Sequence, residues 1–215
     1  MKKFKNILLI AVAMLLVAVI SVTATIAYLK SQTEIVTNTF TVGNVEITLD
    51  EADVDDSSSG KDRDTQNEYH LVPGRAYVKD PIVHVAANSE DAYLFVKVVI
   101  ADGFDALLDG DSITQQMTAN GWVALDGHAG VYVYTGGQNG DSTDATKGVA
   151  VKAGNDYKVF EGFKLKSEIG TAEEDDNELL TNAATPIEIR AYAIQAEGFT
   201  SAAAAYAADP CEWGI

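Results

Sequence analysis

An alternation of apolar and polar residues runs through most of the chain after residue 40 and predicts many short β-strands. The clearest case is residues 92–100, where every second residue is apolar: Ala92, Leu94, Val96, Val98 and Ile100. The opposite face is mixed and carries Tyr93, Phe95, Lys97 and Val99. A strand with one apolar and one mixed face is typical of one layer of a β-sandwich.

Other stretches repeat this pattern with breaks that predict turns and bends. In residues 186–197 the apolar face consists of Ile187, Ile189, Ala191 and Ala193, while Glu188 and Arg190 point outward. The alternation slips at Gly43-Asn44 and at Glu161-Gly162, which predicts a bulge or tight bend at each place. The segments "GWVAL" and "GVYVYT" flank "DGHA" and predict a hairpin.

Helices are predicted to be few and short. Residues 103–117 can hold one around "FDALLD" or "SITQQM". The segment "FTSAAAAYAADP" predicts another, with Thr200 or Ser201 as its cap and Pro210 after its end. About seven strands with turns between them predict an all-β fold, a jelly-roll-like antiparallel β-sandwich with short peripheral helices.

The first residues have the layout of a secretory signal. Three lysines precede an entirely apolar run at residues 7–20, and Thr25 and Ala27 precede a plausible cleavage point before Tyr28. The sequence therefore predicts a signal helix at 1–27, an N-terminal arm at 28–41 and one domain at 42–215. An uncleaved membrane anchor is the alternative, since residues 7–29 carry no charge and are numerous enough to span a bilayer.

The chain of 215 residues has a formal net charge of -17, and cleavage would remove three lysines and no acidic residue. So negative a field repels nucleic acid and anionic lipid, and neither is an expected partner. A single cysteine, Cys211, excludes a disulfide within one chain. Stability must then come from a core, for which one domain of this size suffices.

The sequence motifs identify no catalytic residue, no metal ligand and no cofactor. Residues 50–68 are polar and predict a solvated loop; clustered carboxylates would suit Ca²⁺, but no calcium-loop frame is present. The histidines His70, His84 and His128 form no zinc motif, although a site assembled from all three stays open. Nucleophile-elbow, P-loop and dinucleotide motifs are missing too. This outcome favours a binding or structural role over an enzyme.

Three stretches together resemble the TasA/camelysin family of secreted bacterial proteins: "TIAYLKSQTEIVTNTFTVGNVEITL", "LVPGRAYVKDPIVHVAANSEDAYLFVKVVI" and "AYAIQAEGFTSAAAAYAA". The resemblance implies a jelly-roll domain that a dedicated signal peptidase releases to the surface of a Gram-positive bacterium. It also implies assembly into extracellular fibres of a biofilm matrix. The expected partners are other copies of the chain, head to tail, together with the signal peptidase and, as further candidates, other matrix proteins; the membrane is met only before cleavage.

Fibres of that family imply donor-strand complementation, in which the freed arm of one subunit completes the sheet of the next. The residues expected to do this are Ile35, Val36, Thr37, Thr39, Phe40 and Val42, most of them β-branched and suited to a strand. An open sheet edge offers the unpaired N–H and C=O groups that such an arm needs. The alternative is that residues 37–49 pair within their own domain.

Two other functions stay open. The family carries the label of a metallopeptidase in places, and the second alternative is a membrane-anchored adhesin or binding sandwich that keeps its apolar segment.

Overall fold

The computed structural model describes residues 4–7, 9–10, 12–15, 43–55, 62–169 and 187–213. The chain divides into two units, Met1–Thr41 and Val42–Ile215. In the first unit the described residues are helical. Within the described parts of the chain, no helix has the length and apolar character needed to cross a membrane.

The second unit is built mainly from strands. Their bounds are β1 Ile47–Ala52, β2 Arg63–Asp64, β3 Ala76–Val78, β4 Ile82–Val85, β5 Ala92–Val99, β6 Trp122–Ala124, β7 Val131–Tyr134, β8 Ala150–Val151, β9 Asp156–Lys158, β10 Gly162–Lys164 and β11 Glu188–Gln195. A 3₁₀ turn covers Phe104–Leu107, and two α-helices, α1 and α2, cover Ile113–Ala119 and Ala202–Ala208.

All the pairings of these strands are antiparallel. One sheet has the order β2-β1-β4-β9 and another the order β11-β5-β7-β6, with β8 also paired to β5. A small third sheet joins β3 and β10. The prediction of an all-β, antiparallel protein with few short helices is therefore confirmed.

The main core lies under the inner face of β5. Leu94 and Val96 are fully buried there, together with Val83 of β4 and Tyr157 of β9. A second apolar cluster lies on the other face of β5, where Phe95 is fully buried and its ring centroid is 5.0 Å from that of Tyr206 in α2. On the mixed face of β5, Tyr93 and Phe95 are therefore buried, because α2 packs there, whereas Val99 is exposed.

The short helices form in the predicted segments. Ser201 accepts a hydrogen bond from the Ala204 N–H at 3.2 Å and caps α2, as expected. Both alternatives for residues 103–117 occur, since "FDAL" forms the 3₁₀ turn and "ITQQMTA" forms α1. The hairpin is confirmed as β6 and β7.

The expectation for residues 50–68 was wrong. They are not simply a solvated loop, because β1 continues to Ala52, β2 pairs with its end, and Glu51 is buried beside Lys79. Residues 156–164 contain two short strands, β9 and β10, which lie in different sheets. The break falls where expected, at Gly162, whose φ is 145° and where a Cβ would lie 2.2 Å from the Tyr77 carbonyl oxygen.

Candidate functional site

A groove of about 1090 Å³ lies between β1 and β11. Part of its lining is apolar and comes from several segments of the domain: Leu49, Leu71, Phe104, Phe163, Ile187 and Ile189. The rest is polar and comes mainly from the end of β1, from residues 64–68 and from Lys79. A groove of this size with a mixed lining has room for an extended segment of polypeptide.

Strand β11 is the outermost strand of its sheet among the residues that the structure describes. It pairs along its whole length with β5, and no strand among the described residues pairs with its other edge. The Ala196 N–H donates to the Asp91 carbonyl at 2.8 Å. In this register the backbone N–H and C=O groups of Ile189 and Ala191 point away from β5. They are therefore positioned to accept a further strand.

The inner face of β11 is also incompletely covered. Ile189 and Ala191 pair with Val98 and Val96 of β5, which are 5% and 0% exposed. Ile189 and Ala191 are themselves only half-buried, although they contact the same core. The prediction that this face is buried is therefore confirmed only in part. Its exposed area lies where Ile189 and Ala191 line the groove.

Strand β1 is also only partly paired on one edge among the described residues. It pairs with β4 over Ile47–Asp50, whereas β2 covers only Glu51 and Ala52 on the other edge. Some Cα atoms of β1 lie within 8 Å of Cα atoms of β11, yet the two strands are not hydrogen-bonded partners. The two large sheets thus approach each other here without a ladder that joins them.

The edge at β9, by contrast, is closed by side chains. The Gln138 amide accepts from the Lys158 N–H at 2.9 Å and donates to the Lys158 carbonyl at 2.9 Å. Trp122 donates to the same carbonyl at 2.8 Å, and Asn139 donates to the Asp156 carbonyl at 2.8 Å. Because these groups occupy the backbone of β9, this edge is protected from strand addition.

The polar wall of the groove holds a buried ion pair. Lys79 Nζ lies 2.7 Å from Glu51 Oε2, and the two side chains are 10% and 9% exposed. The other carboxylate oxygen of Glu51 accepts from Asn67 Nδ2 at 3.0 Å. Lys79 Nζ also lies 5.5 Å from the centre of the Tyr69 ring. The Lys79 ammonium and the Asn67 carboxamide therefore both contact the buried carboxylate of Glu51.

A second charged network links β1, β2 and β4. Arg63 contacts Asp50 through Nε and Asp80 Oδ2 through Nη1 at 3.2 Å. His84 lies between two carboxylates, with Nε2 3.0 Å from Asp50 and Nδ1 2.6 Å from Asp156. These contacts tie the strands together beside the groove.

Burial and partners act in opposite directions on the groups of this network. Partial burial lowers the pKa of His84, but its hydrogen bonds to Asp50 and Asp156 and their charges raise it more, and the net direction is upward. Burial raises the pKa of Asp50, but the hydrogen bonds from Arg63 and His84 lower it more, and the net direction is downward. The charged forms of both groups are thus favoured in the folded protein.

The residues expected to act in processing and assembly lie outside the described residues. These are Thr25, Ala27 and Tyr28 at the cleavage point and Ile35, Val36, Thr37, Thr39, Phe40 and Val42 in the arm. The structure does not bring the three histidines together, and no group of three or more His, Cys, Asp or Glu residues within the described ranges is arranged to hold a metal ion.

Sequence reasoning missed the groove and its ion pair. Glu51 continues the alternation of Val45, Ile47 and Leu49, so its place on the inner face of β1 was readable from the pattern. Its charge argued for a loop instead. The partner Lys79 follows β3, which is distant in sequence, and only the fold brings the two together.

Comparisons with protein-family models, with curated proteins and with solved structures find no match for this chain.

Proposed function

We propose that this chain is a secreted structural protein that assembles into fibres, with residues 35–42 of one copy adding a strand to the open edge of β11 in the next copy. The observation that carries this proposal is the half-buried inner face of β11 beside a groove of about 1090 Å³. A strand seated there would bury that face and satisfy the backbone groups that point away from β5.

The chemistry of the arm suits the groove. When residues 35–42 are extended, Val36, Phe40 and Val42 lie on one face, together with Asn38. That face would pack on the apolar lining of the groove, and the threonine-rich face would remain in water. Eight residues span about 26 Å at about 3.3 Å each, which matches the eight residues of β11.

The contrast between the two sheet edges gives assembly a direction. Gln138, Asn139 and Trp122 close the edge at β9, whereas β11 has no such cover among the described residues. An arm that binds a different surface on the next copy makes a head-to-tail contact, and repeated contacts of this kind generate a filament.

The other parts of the proposal rest on the sequence. The two large antiparallel sheets would form a jelly roll, as in the TasA/camelysin family that the chain resembles. Export would follow the signal segment, cleavage before Tyr28 would free the arm, and the product would lie at the surface or in the matrix of a Gram-positive bacterium. The function is structural, and no enzyme activity is part of it.

The first experiment compares exported protein, with its N-terminus determined by sequencing, with a variant that lacks residues 28–39. We expect the exported protein to start at Tyr28 and to form filaments visible by electron microscopy, while the shortened variant stays monomeric by light scattering. Polymerisation of the shortened variant would overturn the proposal. An N-terminus at Met1 on surface protein would support the anchored adhesin instead.

The second experiment tests the acceptor edge. Ala191→Pro removes an N–H that points away from β5, so it should abolish polymerisation with little effect on the β5–β11 ladder. Ala76→Pro is the matched control, because β3 is also paired on one side only among the described strands and Ala76 lies outside this groove. If Ala191→Pro polymerises as fast as the control, the arm does not pair with β11.

A third measurement separates assembly from insertion of the arm into its own domain. A synthetic peptide of residues 28–42 should bind the shortened variant and slow amide exchange of Ile189 and Ala191. If those amides are already protected in dilute, monomeric exported protein, the arm fills its own groove and the fibre proposal fails.

A further inference from the structure

We propose that Lys79 and Asn67 become joined by an intramolecular isopeptide bond, with Glu51 as the catalytic residue that transfers the protons. Both residues contact the carboxylate of Glu51 in the wall of the groove. Lys79 Nζ contacts Glu51 Oε2 at 2.7 Å and Asn67 Nδ2 contacts Glu51 Oε1 at 3.0 Å. An amine, a carboxamide and a proton acceptor are the three groups that aminolysis of an amide requires.

The elements of the sheet hold these groups in place. Glu51 lies on β1, where it is the register partner of Asp64 on β2. Asn67 follows β2 by three residues, and Lys79 immediately follows β3. The three residues are thus anchored by separate strands, and the chain has little freedom to move one away from the others. Such fixed proximity lowers the barrier of an otherwise slow reaction.

The carboxamide of Asn67 is oriented as an electrophile. Its oxygen accepts a hydrogen bond from the Val54 N–H at 2.8 Å. Its nitrogen donates to the Ala52 carbonyl at 3.0 Å as well as to Glu51. The N–H of Val54 would stabilise the negative charge that develops on the Asn67 oxygen when an amine attacks the carbon. Meanwhile the contacts of Nδ2 keep the leaving nitrogen beside the carboxyl group that must protonate it.

The surroundings also favour attack by the lysine over attack by water. Counted over the whole residue, Glu51 and Lys79 are 7% and 8% exposed, and the Tyr69 ring lies beside Lys79 Nζ. Glu51 Oε2 is placed to accept the proton that the Lys79 ammonium must lose before it can attack. The neutral amine is the form that can act as a nucleophile.

The step balances without any other reactant. A proton passes from Lys79 Nζ to Glu51, and the nitrogen lone pair attacks Asn67 Cγ to form a tetrahedral intermediate. A second proton passes from the attacking nitrogen to Glu51, the Cγ–Nδ2 bond breaks, and Glu51 relays both protons in turn to the departing nitrogen. The products are a secondary amide between Nζ and Cγ, one ammonium ion, and Glu51 as the carboxylate that it was at the start. No electron is gained or lost.

The bond would fasten the segment after β2 to the segment after β3 beside the groove. It would thereby hold the polar wall of the groove in one position under mechanical load. This inference does not depend on the proposed assembly, because the three residues react within one chain.

The experiment is mass spectrometry of the purified full chain after its N-terminus has been determined. We expect an intact mass below that of the sequence by one ammonia. Trypsin cleaves after Arg63, Arg75 and Lys97 but not after an acylated Lys79. The digest should therefore contain residues 64–75 joined to residues 76–97, with fragment ions that place the bond between Asn67 and Lys79. This location matters, because a succinimide at Asn139-Gly140 would lose the same ammonia.

Two variants complete the test. Glu51→Gln should have the full mass of its sequence, because the glutamine cannot accept the proton from Lys79. Lys79→Arg keeps a cation beside Glu51 but has no amine to acylate, so it should also have the full mass and release residues 64–75 as a separate peptide. The proposal is overturned if the wild-type digest yields separate, unmodified peptides 64–75 and 76–79. It is also overturned if Glu51→Gln still forms the joined peptide in full yield.

Discussion

Gly162 shows how a single residue separates the two sheets. Its φ of 145° lies in a region that residues with a Cβ rarely adopt, and an added Cβ would lie 2.2 Å from the Tyr77 carbonyl oxygen. Both facts follow from the close approach of β10 to β3. The glycine therefore allows the chain to leave β9 in one sheet and enter β10 in another.

We expect Gly162→Ala to lower the free energy of unfolding by about 2 kcal/mol or more, because the strained backbone and the clash must both be relieved. Gly110→Ala is the control, since Gly110 has a φ of 126° but a Cβ added there would meet no heavy atom within 4 Å. Urea unfolding of both variants measures the difference. Equal losses would show that the approach to Tyr77 has no energetic consequence.

His84 gives the stability of the domain a defined pH dependence. Its folded-state pKa is raised above the unfolded value of 6.5, so its contribution is complete below pH 6.5 and is lost as the pH rises through the folded value. We expect His84→Gln to cost up to about 1 kcal/mol at pH about 6 and progressively less toward pH about 9. Asp50, with its lowered pKa, loses its own contribution only at lower pH, below its ordinary range near 3.8.

The measurement for His84 is urea unfolding of the wild type and of His84→Gln across this pH range. A loss that grows with rising pH would contradict the sign of the argument. His70→Gln is a suitable control, because His70 lies in an exposed loop.

At the scale of elements, the side-chain amide of Gln138 makes the largest contribution to the closure of β9, beside Trp122 and Asn139. The Gln138 side chain makes three hydrogen bonds of 2.8 to 2.9 Å, two to the backbone of Lys158 and one to the Asn120 carbonyl. It thus replaces a neighbouring strand with a side chain. No local sequence pattern predicts this role, because Gln138 lies in a loop and its partners Asn120 and Lys158 are distant in sequence.

We expect Gln138→Ala to lower the free energy of unfolding by about 1–3 kcal/mol, since the partly buried Lys158 N–H loses its partner, while the Lys158 carbonyl keeps the hydrogen bond from Trp122. We also expect the variant to self-associate at high concentration through the exposed edge. Urea unfolding and light scattering measure the two effects, with Gln66→Ala at an exposed site as the control. An unchanged unfolding curve would mean that water replaces the amide without cost.

Local signals predicted several elements correctly, and the reason is that their stabilising contacts are local. The Ala-rich run and Ser201 account for α2, and Ser112 with Gln115 forms a capping box at α1 that the sequence pattern S-x-x-Q displays. The alternation in residues 92–99 accounts for β5. The two-residue strands β2 and β8 have no such signal, because they exist only through pairing with β1 and β5.

At the scale of the whole molecule, side chains cover the outer edge of β9, whereas no described residue covers the outer edge of β11. The proposed assembly uses this difference, since a strand would add to β11 and not to β9. A polymer built in this way should gain stability with each contact, so filaments should require more denaturant to unfold than the monomeric variant that lacks residues 28–39. Equal denaturation midpoints for filament and monomer would show that the contact does not complete the fold.

The amino-acid sequence by itself determined the all-β class, the hairpin of β6 and β7, the C-terminal helix and its cap, and the acidic character of the chain. These properties depend on the period of the apolar residues, on short turn and cap signals and on composition, which need no knowledge of distant contacts. Only the tertiary structure decided that Ile189 and Ala191 remain half-buried, that β9 is closed by Gln138, and that Glu51 gathers Lys79 and Asn67. Each of these depends on which segments become neighbours after folding, and the pattern along a strand specifies its faces but not its neighbours.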